Sequence, residues 1–138
     1  MRTFSALALV LVLAGSIPTG ARGQDGDAAS RLRARGQYLV ERVAMCGQCH
    51  TPRGSDHELL LGQWLEGAVV PVKPPYSDMP WALQAPAIAG LRGMSDQDLL
   101  AVLTRGIARN GRPPLPPMPS YHMSVDDAEA IIAYLRSL

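Results

Sequence analysis

Residues 46–50 read Cys-Gly-Gln-Cys-His, and these are the only two cysteines in 138 residues. Residues three apart on a helical turn share a face. Cys46 and Cys49 can therefore meet one edge of a flat macrocycle, and His50, next in the chain, is carried beneath it. In an exported chain this string is the attachment signature of a c-type haem, in which two thiols add to the porphyrin and the imidazole reaches the iron. A chain so tethered has to fold around its cofactor.

Other uses of the string fit less well. A thiol-disulfide oxidoreductase places C-x-x-C near a βαβ pattern, and no strand-helix alternation is visible here. A structural disulfide suits an exported protein but has no need of the adjoining histidine. A structural zinc site takes four ligands, and two cysteines with three scattered histidines supply few.

The N-terminus supplies the compartment. Met1-Arg2 is a small positive start, Phe4 to Ala14 is free of charge, Gly15 to Gly20 breaks the run, and Ala21-Arg22-Gly23 places small residues before a cut. Residues 1–23 read as a signal peptide cleaved after Gly23, with Ala21 the rival position. The apolar run is shorter than the about 20 residues a spanning helix needs, so no membrane span is expected after cleavage. What remains, residues 24–138, has the length of one domain. The whole chain carries a formal charge of +1, and losing Arg2 and Arg22 makes it −1, which gives no sign of nucleic-acid binding.

The only phenylalanine, Phe4, falls in the leader. The remaining aromatics are Tyr38, Trp64, Tyr76, Trp81, Tyr121 and Tyr134. Small domains struggle to bury enough apolar area, and a porphyrin can take the place of side-chain volume.

Three helices are expected. The first runs from Ser30 to Met45 with Leu32, Leu39 and Val43 as its apolar stripe. Ser95 and Ser124, each with an acid three residues on, begin the second and third, which end near Gly106 and the C-terminus. Between His50 and Ser95 six prolines forbid a long helix. So long a loop in a small domain has work to do, and packing around a cofactor is such work; for Arg53 to Lys73 the alternative is a surface excursion. Arg31, Arg33 and Arg35 form either a solvated helix face or a surface for an acidic partner, and Trp64 and Trp81 either line the haem or pack in the core.

A second axial ligand has several candidates. Met94 and Met123 each precede a capping serine, where an apolar residue staples onto the first helical turn. Met45 shares the tether of Cys46 and does not cross the ring. Met79 and Met118 remain, with His122 behind them and His57 reading as a surface residue; Met118 sits in a proline-stiffened loop.

Gly36 and Tyr38 before Cys46 to His50, Pro86-Ala87-Ile88-Ala89-Gly90, Pro117-Met118-Pro119 with Tyr121, and Ala133-Tyr134-Leu135 together carry a resemblance over roughly 24–138. The chain resembles a small class I cytochrome c domain, of the kind found in bacterial periplasmic electron carriers and in cytochrome subunits of dehydrogenases. The segment from Arg53 to Ala85 is longer than in the shortest such domains.

The resemblance implies an all-α cytochrome c fold, with three or more helices wrapped around one haem c held by Cys46 and Cys49 and with long Pro-rich loops. It makes His50 and Met118 the iron ligands, gives the Pro86 carbonyl the hydrogen bond from His50, and lets the first helix cross the last at Gly36 near Tyr134. Iron closed by His50 and Met118 implies one-electron transfer in the periplasm, by a free carrier or by the cytochrome subunit of a dehydrogenase or oxidase chain, an electron-transfer protein rather than an enzyme. The expected partner is a dehydrogenase, an oxidase or a membrane respiratory complex. The alternatives are a gas-binding or peroxide-reacting haem protein with a labile methionine and, more remotely, a thiol-disulfide oxidoreductase.

Overall fold

A computed structural model describes residues 21–138. The expected leader therefore lies outside the described residues except for 21–23. Helix α1 (Ala21–Tyr38) begins well before the expected Ser30 and passes without a break into a wide π turn, Leu39–Val43. Ala44 N–H donates to the Leu39 carbonyl at 2.8 Å, which closes that turn one residue later than an α-helix would.

The extra residue corrects the expected apolar stripe. On a straight helix Leu39 and Val43 share a face, but one inserted residue rotates the rest of the helix by about 100°. Leu39 and Val40 are buried, whereas Val43 is 52% and Leu32 41% exposed. Arg35 pairs with Asp127 at 3.0 Å in an ion pair that stays exposed to solvent.

Helix α2 (Gly47–His50) is the attachment turn itself. Helices α3 (Asp96–Arg105) and α4 (Val125–Arg136) start where the capping residues predict. Ser95 Oγ accepts from Asp98 N–H at 3.1 Å and Ser124 Oγ from Asp127 N–H at 3.2 Å. Two acids in each first turn complement the positive end of the helix dipole. Gly106, at φ +65°, closes α3 in the left-handed conformation that glycine adopts without strain. Met94 and Met123 both pack against the core, as their position before a capping serine predicts.

Helix α4 is the centre of the fold. It packs mainly on α1 and then on α3, and buries Ala128, Ile131, Ile132 and Leu135. At the α1–α4 crossing a Cβ on Gly36 would overlap the Ala130 carbonyl and stand 2.8 Å from Tyr134 Cβ, so only glycine allows this approach. Arg136 then ties α4 to the turn before α3. Its guanidinium donates to the carbonyls of Gly90, Leu91 and Met94 at 2.9 to 3.2 Å and meets Asp96 at 2.7 Å.

The segment after His50 is not a free excursion. Leu65 is fully buried, and short strands β1 (Ala68–Val69) and β2 (Gln84–Ala85) pair antiparallel, Ala68 opposite Ala85. The proline-rich stretch between them is pinned by Trp81, whose indole N–H donates to the Val72 carbonyl at 3.1 Å. No described helix is long and apolar enough to cross a membrane.

Candidate haem attachment and electron-transfer site

Chain direction changes abruptly after the π turn. Met45 takes φ +48°, a left-handed conformation costly for a side chain bearing a Cβ, and stands 56% exposed, outside the site. Cys46 opens α2, and His50 N–H returns to the Cys46 carbonyl at 3.0 Å, completing one turn that spans both thiols and the imidazole. The back of this turn admits only glycine, because a Cβ on Gly47 would run into the six-membered ring of Trp64. Trp64 packs partly buried against the core behind the turn.

His50 is buried, and its Nδ1 lies 2.8 Å from the Pro86 carbonyl. A carbonyl only accepts, so Nδ1 carries the proton and Nε2 is left with a free lone pair. Burial holds the His50 pKa below the usual histidine value, and the bond to Pro86 opposes this in part. The imidazole is thus neutral, the form that binds a metal.

The two thiols are free and half-buried. Burial, helped by nearby Cys49, pushes the Cys46 thiol up to about 11. A thiol-disulfide enzyme needs the opposite, a thiol pKa lowered toward neutrality. The described residues contain no cluster of three or more His, Cys, Asp or Glu that could hold a metal ion, and so lend the zinc reading no support.

Met118 is half-buried in the loop between α3 and α4, while Met79 is exposed. Ala82 N–H donates to the Pro116 carbonyl at 2.7 Å, so the segments bearing the two methionines are joined. The far end of the Met118 loop returns to the residues just before the attachment turn. Tyr121 donates its hydroxyl to the Ala44 carbonyl at 3.3 Å, and its pKa is pushed up to about 12 by burial and by Cys46 and Cys49 nearby. His57 is exposed at the tip of a small turn, as its polar surroundings predict.

The donor set fits a haem: two thiols one turn apart, a neutral buried imidazole with one nitrogen already oriented, and a thioether in a loop that is bonded, through Tyr121, to Ala44 two residues before Cys46. A cytochrome c family model matches residues 33–138. The chain belongs to the cytochrome c family. Its cofactor is accordingly haem c, held through Cys46 and Cys49, and its chemistry is electron transfer.

Among curated relatives, this cytochrome c domain is 32% identical to the fructose dehydrogenase cytochrome subunit of Gluconobacter japonicus, an alignment covering 75% of this chain and 21% of that protein. It is 34% identical to the gluconate 2-dehydrogenase cytochrome c subunit of Pantoea cypripedii, over 76% of this chain and 26% of that one. Against the cytochrome c subunit of the quinone alcohol dehydrogenase of Gluconobacter oxydans (strain 621H) the identity is 28%, over 88% and 27%. The chain thus spans about a quarter of the length of these relatives.

Several residues that shape the site give little sign of it in the sequence. Thr51, Leu65 and Gly67 belong to no motif, yet Leu65 N–H donates to Thr51 Oγ1 at 3.0 Å and Gly67 N–H to the His50 carbonyl at 2.8 Å. The only signal is the Glu66-Gly67 pair interrupting an apolar stretch, a common mark of a turn.

Proposed function

We propose that this domain is an exported, periplasmic one-electron carrier whose iron is held by His50 and Met118, and that it serves a dehydrogenase. The observation that carries the reading is the 2.8 Å hydrogen bond from buried His50 to the Pro86 carbonyl beside two thiols one turn away. It fixes the tautomer and ring plane of a ligand histidine, as outer partners of metal-bound imidazoles do. When bound, the haem supplies the redox change at iron. The chain's own residues tether it, orient the imidazole and keep the Met118 thioether in a stiff loop.

A neutral sulfur ligand favours the reduced state more than a second imidazole would. With His50 and Met118 both holding the iron, no position would be left for dioxygen or a substrate, and the domain would pass electrons and leave substrate chemistry to its partner. The names of the three relatives favour a dehydrogenase as that partner, with residues 24–138 acting as the electron-carrying unit. Residues 1–23 act as the export signal, supported by their positive start and uncharged core.

The test is optical. The ferric protein should show a low-spin spectrum with the sulfur-to-iron charge-transfer band, and Met118→Ala should lose that band and make the reduced protein bind carbon monoxide. A Met118→Ala protein with native ligation refutes the assignment, and Met79→Ala losing the band instead would transfer the role to Met79. The mass of protein secreted to the periplasm should correspond to a chain starting at Gln24 plus one haem. Co-purification with a dehydrogenase tests the partner.

A further inference from the structure

We propose that Gly67 is a positioning residue for His50, setting how closely the Pro86 carbonyl approaches Nδ1 and thereby the reduction potential. The proposal rests on His50 being an iron ligand.

Gly67 touches the backbone of both residues that make that hydrogen bond. Its N–H donates to the carbonyl of His50 itself at 2.8 Å. On its other side a Cβ would stand 2.8 Å from Ala87 N, 3.0 Å from Ala85 O and 3.1 Å from Pro86 C, against the peptide that bears the acceptor. Its φ of +86° is also one that side chains rarely adopt.

The neighbours of Gly67 complete a buckle. Leu65 donates through its N–H to Thr51 Oγ1 at 3.0 Å, and its carbonyl accepts from Ile88 N–H at 2.9 Å and Ala89 N–H at 3.1 Å. Residues 65–67 are therefore bonded to the end of the attachment turn on one side and to the segment just beyond Pro86 on the other. The two sides are 36 residues apart in sequence, and their approach depends on the thickness of what lies between them. With hydrogen as its side chain, Gly67 is the thinnest spacer available.

Outer-shell chemistry carries this spacing to the iron. A close carbonyl draws on the Nδ1 proton, makes the imidazole a stronger donor through Nε2 and stabilises the oxidised state. A wedge at residue 67 pushes Pro86 away from His50, weakens that donation and raises the potential. Thr51→Val removes the hydroxyl that holds Leu65 without adding volume, and loosens the same buckle from the other end.

The experiment uses haem-loaded Gly67→Ala and Thr51→Val, with Gly62→Ala as a control because nothing lies within 4 Å of a Cβ there. The readouts are the reduction potential and the exchange rate of the His50 Nδ1 proton, followed by NMR in the reduced protein. Both variants should shift the potential upward and exchange that proton several-fold faster, and Gly62→Ala should do neither. If Gly67→Ala yields no folded holoprotein, Thr51→Val decides by the same readouts. Low-spin variants with wild-type potential and exchange overturn the proposal. A wild-type protein without a low-spin spectrum refutes the His50 and Met118 ligation beneath it, a different failure.

Discussion

Gly47 shows how little room the attachment turn has. Its missing Cβ is occupied by the Trp64 ring, so Gly47→Ala must displace the tryptophan or tilt the helix bearing both thiols. Overpacking of this kind costs about 1–3 kcal/mol, and the expected result is a lower melting temperature together with a smaller haem-bearing fraction, read by mass spectrometry. Asp98 is a second local case. The Arg109 guanidinium, and then the Ser95 hydroxyl, hold its carboxyl below the ordinary aspartate value of 3.8. A folded-state pKa below the unfolded one gives stability that is complete above pH 3.8 and is lost as the pH falls through the folded value. Arg109→Ala should therefore lower the melting temperature slightly at neutral pH, where this contribution is complete, and converge with wild type at the acid end, so that the acid limb of the profile is flatter. At this scale Cys46, Cys49 and His50 were legible because the chemistry demands them side by side. Pro86 acts through a backbone carbonyl, which every residue possesses, so its role was visible only through the resemblance.

Helices α3 and α4 were readable from their caps, since Ser95 and Ser124 satisfy first-turn N–H groups within three residues of themselves. Ser124→Ala should lower stability by about 1 kcal/mol, measured by denaturant unfolding. Helix α1 was read less well. Its early start carries no apolar signal, and the π turn, which buries Leu39 and Val40 and leaves Val43 exposed, has no mark in the sequence pattern. Gly36 is the element-scale test of the α1–α4 crossing. Gly36→Ala would raise helix propensity in isolation by about 1 kcal/mol, yet here it drives a methyl into the Ala130 carbonyl. A net loss of stability is expected, and a melting temperature equal to wild type would show that the helices cross elsewhere.

Across the whole molecule the loops are held by single side chains that reach far in sequence. Arg136 joins the last helix to carbonyls more than forty residues earlier. Arg136→Ala leaves those acceptors without their charged donor and should cost about 1–3 kcal/mol, with hydrogen exchange rising first around residues 90–94. Haem removal should act more widely, lowering the melting temperature and loosening the 51–94 and 107–123 loops while the α1–α4 pair keeps its protection. The cofactor, the likeness to cytochrome c and two of the helix starts were determined by the sequence alone, because contiguous ligands and caps are local chemistry. The face of α1, the pairing of Arg35 with Asp127 and the placement of Gly67 against both His50 and Pro86 were decided only by the tertiary structure. Each depends on which distant backbone comes near, and a residue's own identity carries no record of that.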